Sequence, residues 1–311
     1  MYQPLIKFHP HPAIITQVLR IFATVKIRNR NRDEFMALSL KSLGVRTVTG
    51  AVFVATIVGS ILWNQYSFAV AFIAFSAMAT AEFYRLVEGM THTPRGTKFV
   101  DILGSILLFL TLYIYADKNF DMSGIITVPY LVYFLVRFIM QLYDKVERPL
   151  EGWAYSFLGQ IYVALPFALC NILYYRFSPL ILLSLFVFIW VNDTGAYLVG
   201  CTIGKHRLFE RISPKKSWEG FWGGVVLATA TAYVASLYID VLNTWQWMGL
   251  ALICSVFGTW GDLCESLIKR SLNVKDSGNI LPGHGGLLDR FDSILLAVPA
   301  AILYLFIVFT L

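Results

Sequence analysis

Residues 179–199 read PLILLSLFVFIWVNDTGAYLV, a run with a single charged side chain, Asp193. A helix of about 20 mostly apolar residues can cross the hydrocarbon core of a bilayer. The whole chain has the same character, since 57% of its 311 residues are hydrophobic and 14% are charged, against about 25% charged in an average soluble domain. A soluble enzyme, a disordered protein and a disulfide scaffold are excluded. We predict an all-α, polytopic integral membrane helix bundle.

Apolar segments recur along the chain, and nine of them are candidate transmembrane helices. They are residues 47–63, 66–87, 99–115, 123–142, 153–175, 179–199, 218–238, 245–264 and 290–311. We therefore divide the chain into a basic tail (1–46), an N-terminal set of transmembrane helices (47–175) and a C-terminal transmembrane region (176–311). The C-terminal region carries the candidate site.

The basic residues orient this bundle. If the N-terminus is cytoplasmic and nine helices alternate, every Lys and Arg except Lys118 and Arg176 falls on the cytoplasmic side. This asymmetry is what the positive-inside rule requires. The tail segment 14–32, IITQVLRIFATVKIRNRNR, has two interpretations. It is an interfacial helix that binds anionic lipid, or it serves only to set the topology.

Five carboxylates are candidate functional groups, because ionisable side chains within membrane spans are costly. Asp193 lies at the cytoplasmic end of the sixth predicted span. Asp262 and Glu265 lie where the eighth span ends, and Asp289 and Asp292 lie where the ninth begins. All five reach the cytoplasmic interface at a similar depth. Oxygen ligands of this kind can hold a hard cation.

The helical spacing predicts that these carboxylates face each other. Asp262, Glu265 and Lys269 lie at positions i, i+3 and i+7 and share one helix face. Asp289 and Asp292 are three residues apart and also share a face. Two helices can thus aim their carboxylates at each other across the loop 270–286. The alternative is that Glu265–Lys269 and Asp289–Arg290 are ordinary ion pairs.

Ionisable groups are few in the spans of the first half. Glu82 and Arg85 are three residues apart, so we expect them to pair near the interface. Arg137 lies about one turn from a cytoplasmic end, where a long side chain can reach water. Neither position is assigned any chemistry.

Basic residues lie on the same side as the five carboxylates, notably in the loop 200–217, GCTIGKHRLFERISPKKS. Cations beside metal-binding carboxylates suit a polyphosphate ligand, although topology alone explains most of them. Ser217 followed by Glu219 predicts a helix start. His284 is either a phosphate donor or a structural side chain. The candidate contacts to phosphate groups are Ser213, Lys215, Lys216, Lys269, Arg270, Lys275, His284 and Arg290.

Glycines spaced four residues apart favour close helix packing. They occur at Gly200 and Gly204 and again at Gly220 and Gly224. The segment 284–286 predicts a tight turn where the backbone approaches a ligand or a neighbouring helix.

Residues 266–292, SLIKRSLNVKDSGNILPGHGGLLDRFD, resemble the signature of the phosphatidate cytidylyltransferase family, also called CDP-diacylglycerol synthases. The segments NDTGAYLVG (192–200), SPKKSWEG (213–220) and GDLCES (261–266) also look like that family. The specific resemblance covers residues 190–292, about a third of the chain. The first 150 residues match only as apolar spans, and the basic tail is not part of the signature.

The resemblance implies an integral membrane enzyme that condenses CTP with phosphatidic acid and releases pyrophosphate. It implies a Mg²⁺ requirement, a second, monovalent cation such as K⁺, and a homodimer. It places the site on the cytoplasmic side. The compactness of the chain favours a bacterial inner membrane, with an organelle membrane as the alternative, and no nucleic-acid partner is expected.

The motif match and the facing geometry together assign roles to the candidate residues. Asp262 and Asp289 are expected to be the principal metal ligands. Lys269 and Arg270 are expected to be catalytic together with them. The second-rank metal ligands are Asp193, Glu265 and Asp292.

Two other functions are consistent with parts of this pattern. One is a related lipid enzyme, such as a CTP-dependent polyprenol kinase or a synthase with an ether-lipid acceptor. The other is a cation-coupled transporter with carboxylates that bind the ion. Transporter sites lie near the midplane, often at internal repeats. Here the carboxylates fall at helix ends and we detect no repeat, so the transporter is disfavoured.

Overall fold

The computed structural model describes residues 44, 46–88, 95–117, 125–145, 147–278, 280 and 285–310. The chain divides into two compact units, Met1–Ala51 and Val52–Leu311. In the first unit only residue 44 and residues 46–51, the beginning of the first helix, are described. The predicted interfacial segment 14–32 lies outside the described residues.

Helices make up nearly all of the second unit, which confirms the predicted all-α class. A π-helical turn over Gly159–Ala164 joins the fifth helix to the sixth, and another over Leu173–Phe177 extends the sixth. Two short strands pair in an antiparallel hairpin. The elements are α1 Arg46–Trp63, α2 Gln65–Val87, α3 Arg95–Ala116, α4 Val128–Tyr143, α5 Pro149–Leu158, α6 Leu165–Ile172, α7 Pro179–Ile203, β1 Arg207–Phe209, β2 Ser213–Ser217, α8 Trp218–Ser236, α9 Thr244–Ser271, α10 Leu288–Phe291 and α11 Ile294–Thr310.

Within the described residues, seven helical stretches are long and apolar enough to cross a membrane, so the protein is a polytopic membrane helix bundle. The predicted spans 123–142 and 218–238 correspond to α4 and α8. Helix α4 has 16 residues, short of the length that a span requires. Helix α8 has 19 residues and is not among the seven. The count of nine spans and the cytoplasmic N-terminus stay predictions.

Side-chain caps mark where several helices begin. The side chains of Asn64, Ser178 and Asn243 accept hydrogen bonds from backbone N–H groups in the first turns of α2, α7 and α9. Such caps satisfy donors that have no partner within the helix. In an apolar surrounding each unsatisfied donor is especially costly.

An aromatic cluster fixes the short helix α10. The ring of Phe291 is fully buried, and its centroid lies 5.0 Å from that of Phe167, 5.1 Å from that of Phe75 and 5.2 Å from that of Phe53. These rings belong to α6, α2 and α1. Because Phe291 directly precedes Asp292, this packing sets where the Asp292 carboxylate lies.

Glycines bring α8 against α7. A Cβ atom on Gly224 would lie 2.5 Å from the backbone oxygen of Asn192, and one on Gly220 would lie 2.7 Å from that of Ala196. Real Cβ atoms do not approach so closely, so only glycine fits at these two positions. The close helix packing predicted for Gly220 and Gly224 is confirmed.

The placement predicted for Arg137 is wrong. Its side chain is fully buried, pairs with Asp101 at 3.4 Å and donates to Ser156 Oγ at 2.7 Å. Its Nη2 atom donates to Gln141 Oε1 and to the backbone oxygen of Gly152, each at 3.0 Å. Asp101 also accepts a hydrogen bond from Ser156 at 2.5 Å. This buried network joins α3, α4 and α5, and the charge therefore serves the packing of the bundle.

We expect Arg137→Ala to destabilise the protein strongly, because the Asp101 carboxylate stays buried without its cation. Breaking a buried pair in this way costs about 3–5 kcal/mol. Thermal unfolding of the detergent-solubilised protein measures the effect. Arg148→Ala is the matched control, since the Arg148–Glu151 pair is exposed and such pairs contribute little. Equal losses in the two variants would contradict the role of the network.

Candidate active site

Three carboxylates converge near the end of α9 and the beginning of α11. Asp262 and Glu265 extend from α9, and Asp292 follows α10. Each offers an oxygen atom within 4.8 Å of the others. Glu265 is 1% exposed, while the other two are half-buried. Like charges at this distance repel strongly away from water, so this carboxylate cluster suits a bound cation. Oxygen donors are the ligands that hard divalent ions such as Mg²⁺ prefer.

Lys269 connects the carboxylate cluster to Asp289. Its Nζ atom forms ion pairs with Glu265, four residues earlier on α9, and with Asp289 Oδ1, at 2.7 Å from the latter. The Glu265–Lys269 pair that the spacing allowed as an alternative is therefore present. It does not exclude Glu265 from the cluster, because one lysine is shared between two carboxylates.

The Asp289 carboxylate is held by backbone groups. The N–H groups of Ser277 and Gly286 each donate to it at 2.9 Å, in addition to the contact with Lys269. Gly285 has a φ of 85°, which glycine adopts without strain. The tight turn predicted for residues 284–286 includes residue 284, which lies outside the described residues, so it stays a prediction. The motif match predicts Asp289 as a principal metal ligand and Asp292 as a second-rank one. In the structure Asp292 belongs to the carboxylate cluster, whereas Asp289 pairs with Lys269. The roles of both residues stay predictions.

A cavity of about 250 Å³ lies on the other side of Asp262, between α7, β2, α8 and α9. Lys216 Nζ lies 2.6 Å from Asp262 Oδ2. Asp193 of α7 interacts electrostatically with both of these groups and lines the cavity, as does Lys215. Two cations and two carboxylates therefore surround one space. This combination suits a chain of phosphate groups accompanied by a metal ion.

The two lysines of the cavity belong to β2, part of a hairpin that the sequence analysis did not predict. The carboxylate of Glu219, in the first turn of α8, ties this hairpin down. It accepts hydrogen bonds from the backbone N–H groups of Lys205 and His206 at 3.1 and 3.2 Å. Ser217 ends β2 and caps α8 by accepting from Gly220 N at 3.1 Å, which confirms the predicted helix start.

Among the described residues, the remaining candidate contacts to phosphate groups neither line the cavity nor belong to the carboxylate cluster. Ser213 begins β2 but is not one of the residues around the cavity. Arg270, Lys275 and Arg290 are exposed. His284 lies outside the described residues. Their proposed contacts to phosphate groups stay predictions.

Two polar residues that the sequence analysis missed lie at the site. The Tyr162 hydroxyl is buried near Asp262, Glu265 and Asp292, and it has no hydrogen-bond partner in the described part of the chain. It comes from the π-helical turn between α5 and α6, and such turns are frequent at functional sites. Asn192 lines the cavity with a buried oxygen that likewise lacks a partner among the described residues. Tyr162 does not stand out within its apolar run, and Asn192 lies in the family-like segment 192–200 without a predicted role of its own.

Comparison with known proteins identifies the family of the chain. The model of the Cytidylyltransferase family matches residues 44–308. Similar curated proteins are the phosphatidate cytidylyltransferases of Staphylococcus epidermidis, 46% identical over 119 residues, and of Staphylococcus aureus, 49% identical over 119 residues. Each match covers 38% of this chain and 46% of the relative, so the chain spans about half the length of the curated relatives it matches. Because the family model covers most of the described residues, the chain belongs to the cytidylyltransferase family.

Proposed function

We propose that the protein transfers CMP from CTP to phosphatidic acid, which gives CDP-diacylglycerol and pyrophosphate. The observation that carries this proposal is the cavity where Lys216 and Asp262 meet, directly beside the carboxylate cluster. The names of the Staphylococcus relatives support it, since those proteins are phosphatidate cytidylyltransferases. The resemblance over residues 190–292 supports it as well.

Asp262, Glu265 and Asp292 would hold Mg²⁺, and Asp193 would add a carboxylate from the cavity side. When bound, the ion neutralises phosphate charge and polarises the phosphoryl oxygens. Asp289 keeps Lys269 beside the cluster. A second, monovalent cation such as K⁺ enters the proposal only through the family resemblance.

The proposed reaction is an in-line displacement at phosphorus. A phosphate oxygen of phosphatidic acid attacks the α-phosphorus of CTP, a new P–O bond forms, and the bond to pyrophosphate breaks. The nucleophile is already anionic, so no side chain has to remove a proton from it. The barrier comes from bringing several negative groups together, and fixed cations lower it.

The lysines of the cavity and of α9 would divide this task. Lys215 and Lys216 would contact the triphosphate, because they line the cavity. Lys269 lies at the other end of the carboxylate cluster. It would act with Arg270 on the reacting phosphates, and Lys275 and Arg290 would add further contacts.

We further propose a bacterial inner membrane location, a site that faces the cytoplasm, and a homodimer. The distribution of basic residues supports this orientation. CTP is also available on the cytoplasmic side. The bacterial origin of the curated relatives supports the location.

The position of the carboxylate cluster argues against a transporter. Asp262 and Glu265 lie in the last third of α9, and Asp292 lies just before α11 begins. Transporter sites are expected near the middle of the membrane. A CTP-dependent kinase differs in its products, because it releases CDP, whereas the proposed reaction releases pyrophosphate.

We expect the wild-type protein in detergent to form Mg²⁺-dependent CDP-diacylglycerol and equal pyrophosphate from phosphatidic acid and labelled CTP. Asp292→Asn should lower turnover at least about 100-fold and weaken Mn²⁺ binding, because a metal-ligand oxygen loses its charge. Asp289→Asn should also lose turnover but keep Mn²⁺ binding, because its oxygens hold Lys269. Lipid-bound label, pyrophosphate and electron paramagnetic resonance of Mn²⁺ measure these outcomes.

Asp240→Asn is the matched control, since Asp240 is an exposed carboxylate between α8 and α9. It should leave both turnover and Mn²⁺ binding unchanged. Loss of Mn²⁺ binding in Asp289→Asn would show that Asp289 is a metal ligand. Released CDP would identify a kinase, and pyrophosphate without labelled lipid would identify another acceptor. If folded protein forms neither product, the proposed function is overturned.

Lys216→Ala should raise the KM for CTP about 10-fold or more, because a charge-assisted contact to phosphate contributes about 1.5–3 kcal/mol. Initial rates at varied CTP concentration measure the change. Arg211→Ala removes the same charge from the same hairpin, at a position that does not line the cavity, and should leave the KM unchanged. An unchanged KM in Lys216→Ala would mean that this lysine serves only to set the membrane topology.

A further inference from the structure

Glu82 lies on α2, about 200 residues before the carboxylates of the site, and the pairing predicted for it is wrong. Its side chain is fully buried, whereas Arg85 is exposed. Its Oε2 atom accepts hydrogen bonds from the backbone N–H of Leu288 at 2.8 Å and from the hydroxyl of Ser277 at 3.4 Å. Glu82 therefore contacts the segment that carries Asp289.

Ser277 links Glu82 to Asp289 through hydrogen bonds to both residues. Its hydroxyl donates to Glu82 and accepts from the backbone N–H of Asp289 at 3.3 Å. Its own N–H donates to the Asp289 carboxylate at 2.9 Å. Asp289 then binds Lys269, which also pairs with Glu265 of the carboxylate cluster. An unbroken chain of hydrogen bonds and ion pairs thus runs from α2 to the site.

The backbone fits closely around the Glu82 carboxylate. A Cβ atom on Gly278 would lie 2.6 Å from Glu82 Oε1. A Cβ atom on Gly286 would lie 2.7 Å from Glu82 Oε2 and 2.0 Å from Ser277 Oγ. A side chain at Gly278 would therefore displace the Glu82 carboxylate, and one at Gly286 would displace the Ser277 hydroxyl as well. Two separate parts of the loop, 277–278 and 286–288, therefore meet on one side chain.

The burial of Glu82 needs a reason, since a carboxyl group within a membrane bundle is costly. Thr80 and Ser76 lie on the same helix with buried hydroxyls that make no hydrogen bond within the described residues. Polar burial on α2 is thus not in itself a sign of function. Glu82 differs from these neighbours because it accepts from the loop on which Asp289 depends.

We propose that Glu82 is a positioning residue for the site. It fixes the backbone of residues 277–278 and 286–288, so that Asp289 holds Lys269 beside Glu265. The side chain does not touch the cavity near Lys216, so its removal affects the rate of the chemical step and not the binding of CTP. The activity readout rests on the proposed function.

Glu82→Ala should lower kcat at least about 10-fold and change the KM for CTP less than about twofold, because small displacements of catalytic groups cost rate steeply. Glu82→Gln should retain at least about half of the wild-type kcat. Its amide oxygen can take the place of Oε2 and accept from both Leu288 and Ser277. Rates are expressed per CTP-binding site, so that unfolded protein does not count.

Hydrogen exchange followed by mass spectrometry gives a readout that does not require turnover. Backbone amides of residues 285–291 should exchange faster in Glu82→Ala than in wild type, and those of α7 should not. Thr80→Val is the matched control on the same helix and should alter neither kcat nor exchange. If wild type lacks the proposed activity, this measurement still tests the positioning of the loop.

Several outcomes would overturn the inference. They are a wild-type kcat in Glu82→Ala, unchanged exchange at 285–291, or an equal loss of activity in Thr80→Val. If Glu82→Ala does not fold, Glu82→Gln and Ser277→Ala carry the test. Ser277→Ala removes the middle of the chain of contacts and should lower kcat with an unchanged KM for CTP. A normal kcat in Ser277→Ala would refute the proposal.

Discussion

Carboxylate oxygens within 4.8 Å of one another repel, and the elements around the site are arranged to hold them together. Helix α9 contributes two carboxylates and the lysine that pairs with one of them. The hairpin brings a second lysine to the far side of Asp262. The backbone N–H groups of Ser277 and Gly286 hold Asp289. The bundle thus supplies geometry, and under the proposed function a metal ion and a phosphate ligand would complete the charge balance.

The fold followed from the sequence wherever it depended on local apolar content. Each apolar run became a helix, and Ser217 began α8 as its type and spacing predict. The hairpin over residues 207–217 was not foreseen, because strands this short in a polar loop show no alternating pattern. The burial of Arg137 was missed for another reason. Its partners come from α3 and α5, and spacing along one helix carries no information about them.

The relative positions of site residues were predictable where they lie on one helix. They were not predictable where they depend on the packing of several helices. The shared face of Asp262, Glu265 and Lys269 follows from the helical period. The choice between Asp289 and Asp292 depends on how α10 is rotated. Rings on three other helices set that rotation through Phe291. Tyr162 reaches the cluster from a π-helical turn, a feature that has no recognisable sequence pattern.

The contact between Glu82 and Leu288 joins positions 206 residues apart. A ribosome delivers α2 to the membrane long before α10 exists. Throughout that interval the Glu82 carboxyl group lacks the hydrogen-bond donors that the later loop supplies. The first half of the bundle therefore gains the hydrogen-bond donors for this carboxylate only after residues 277–288 have been synthesised.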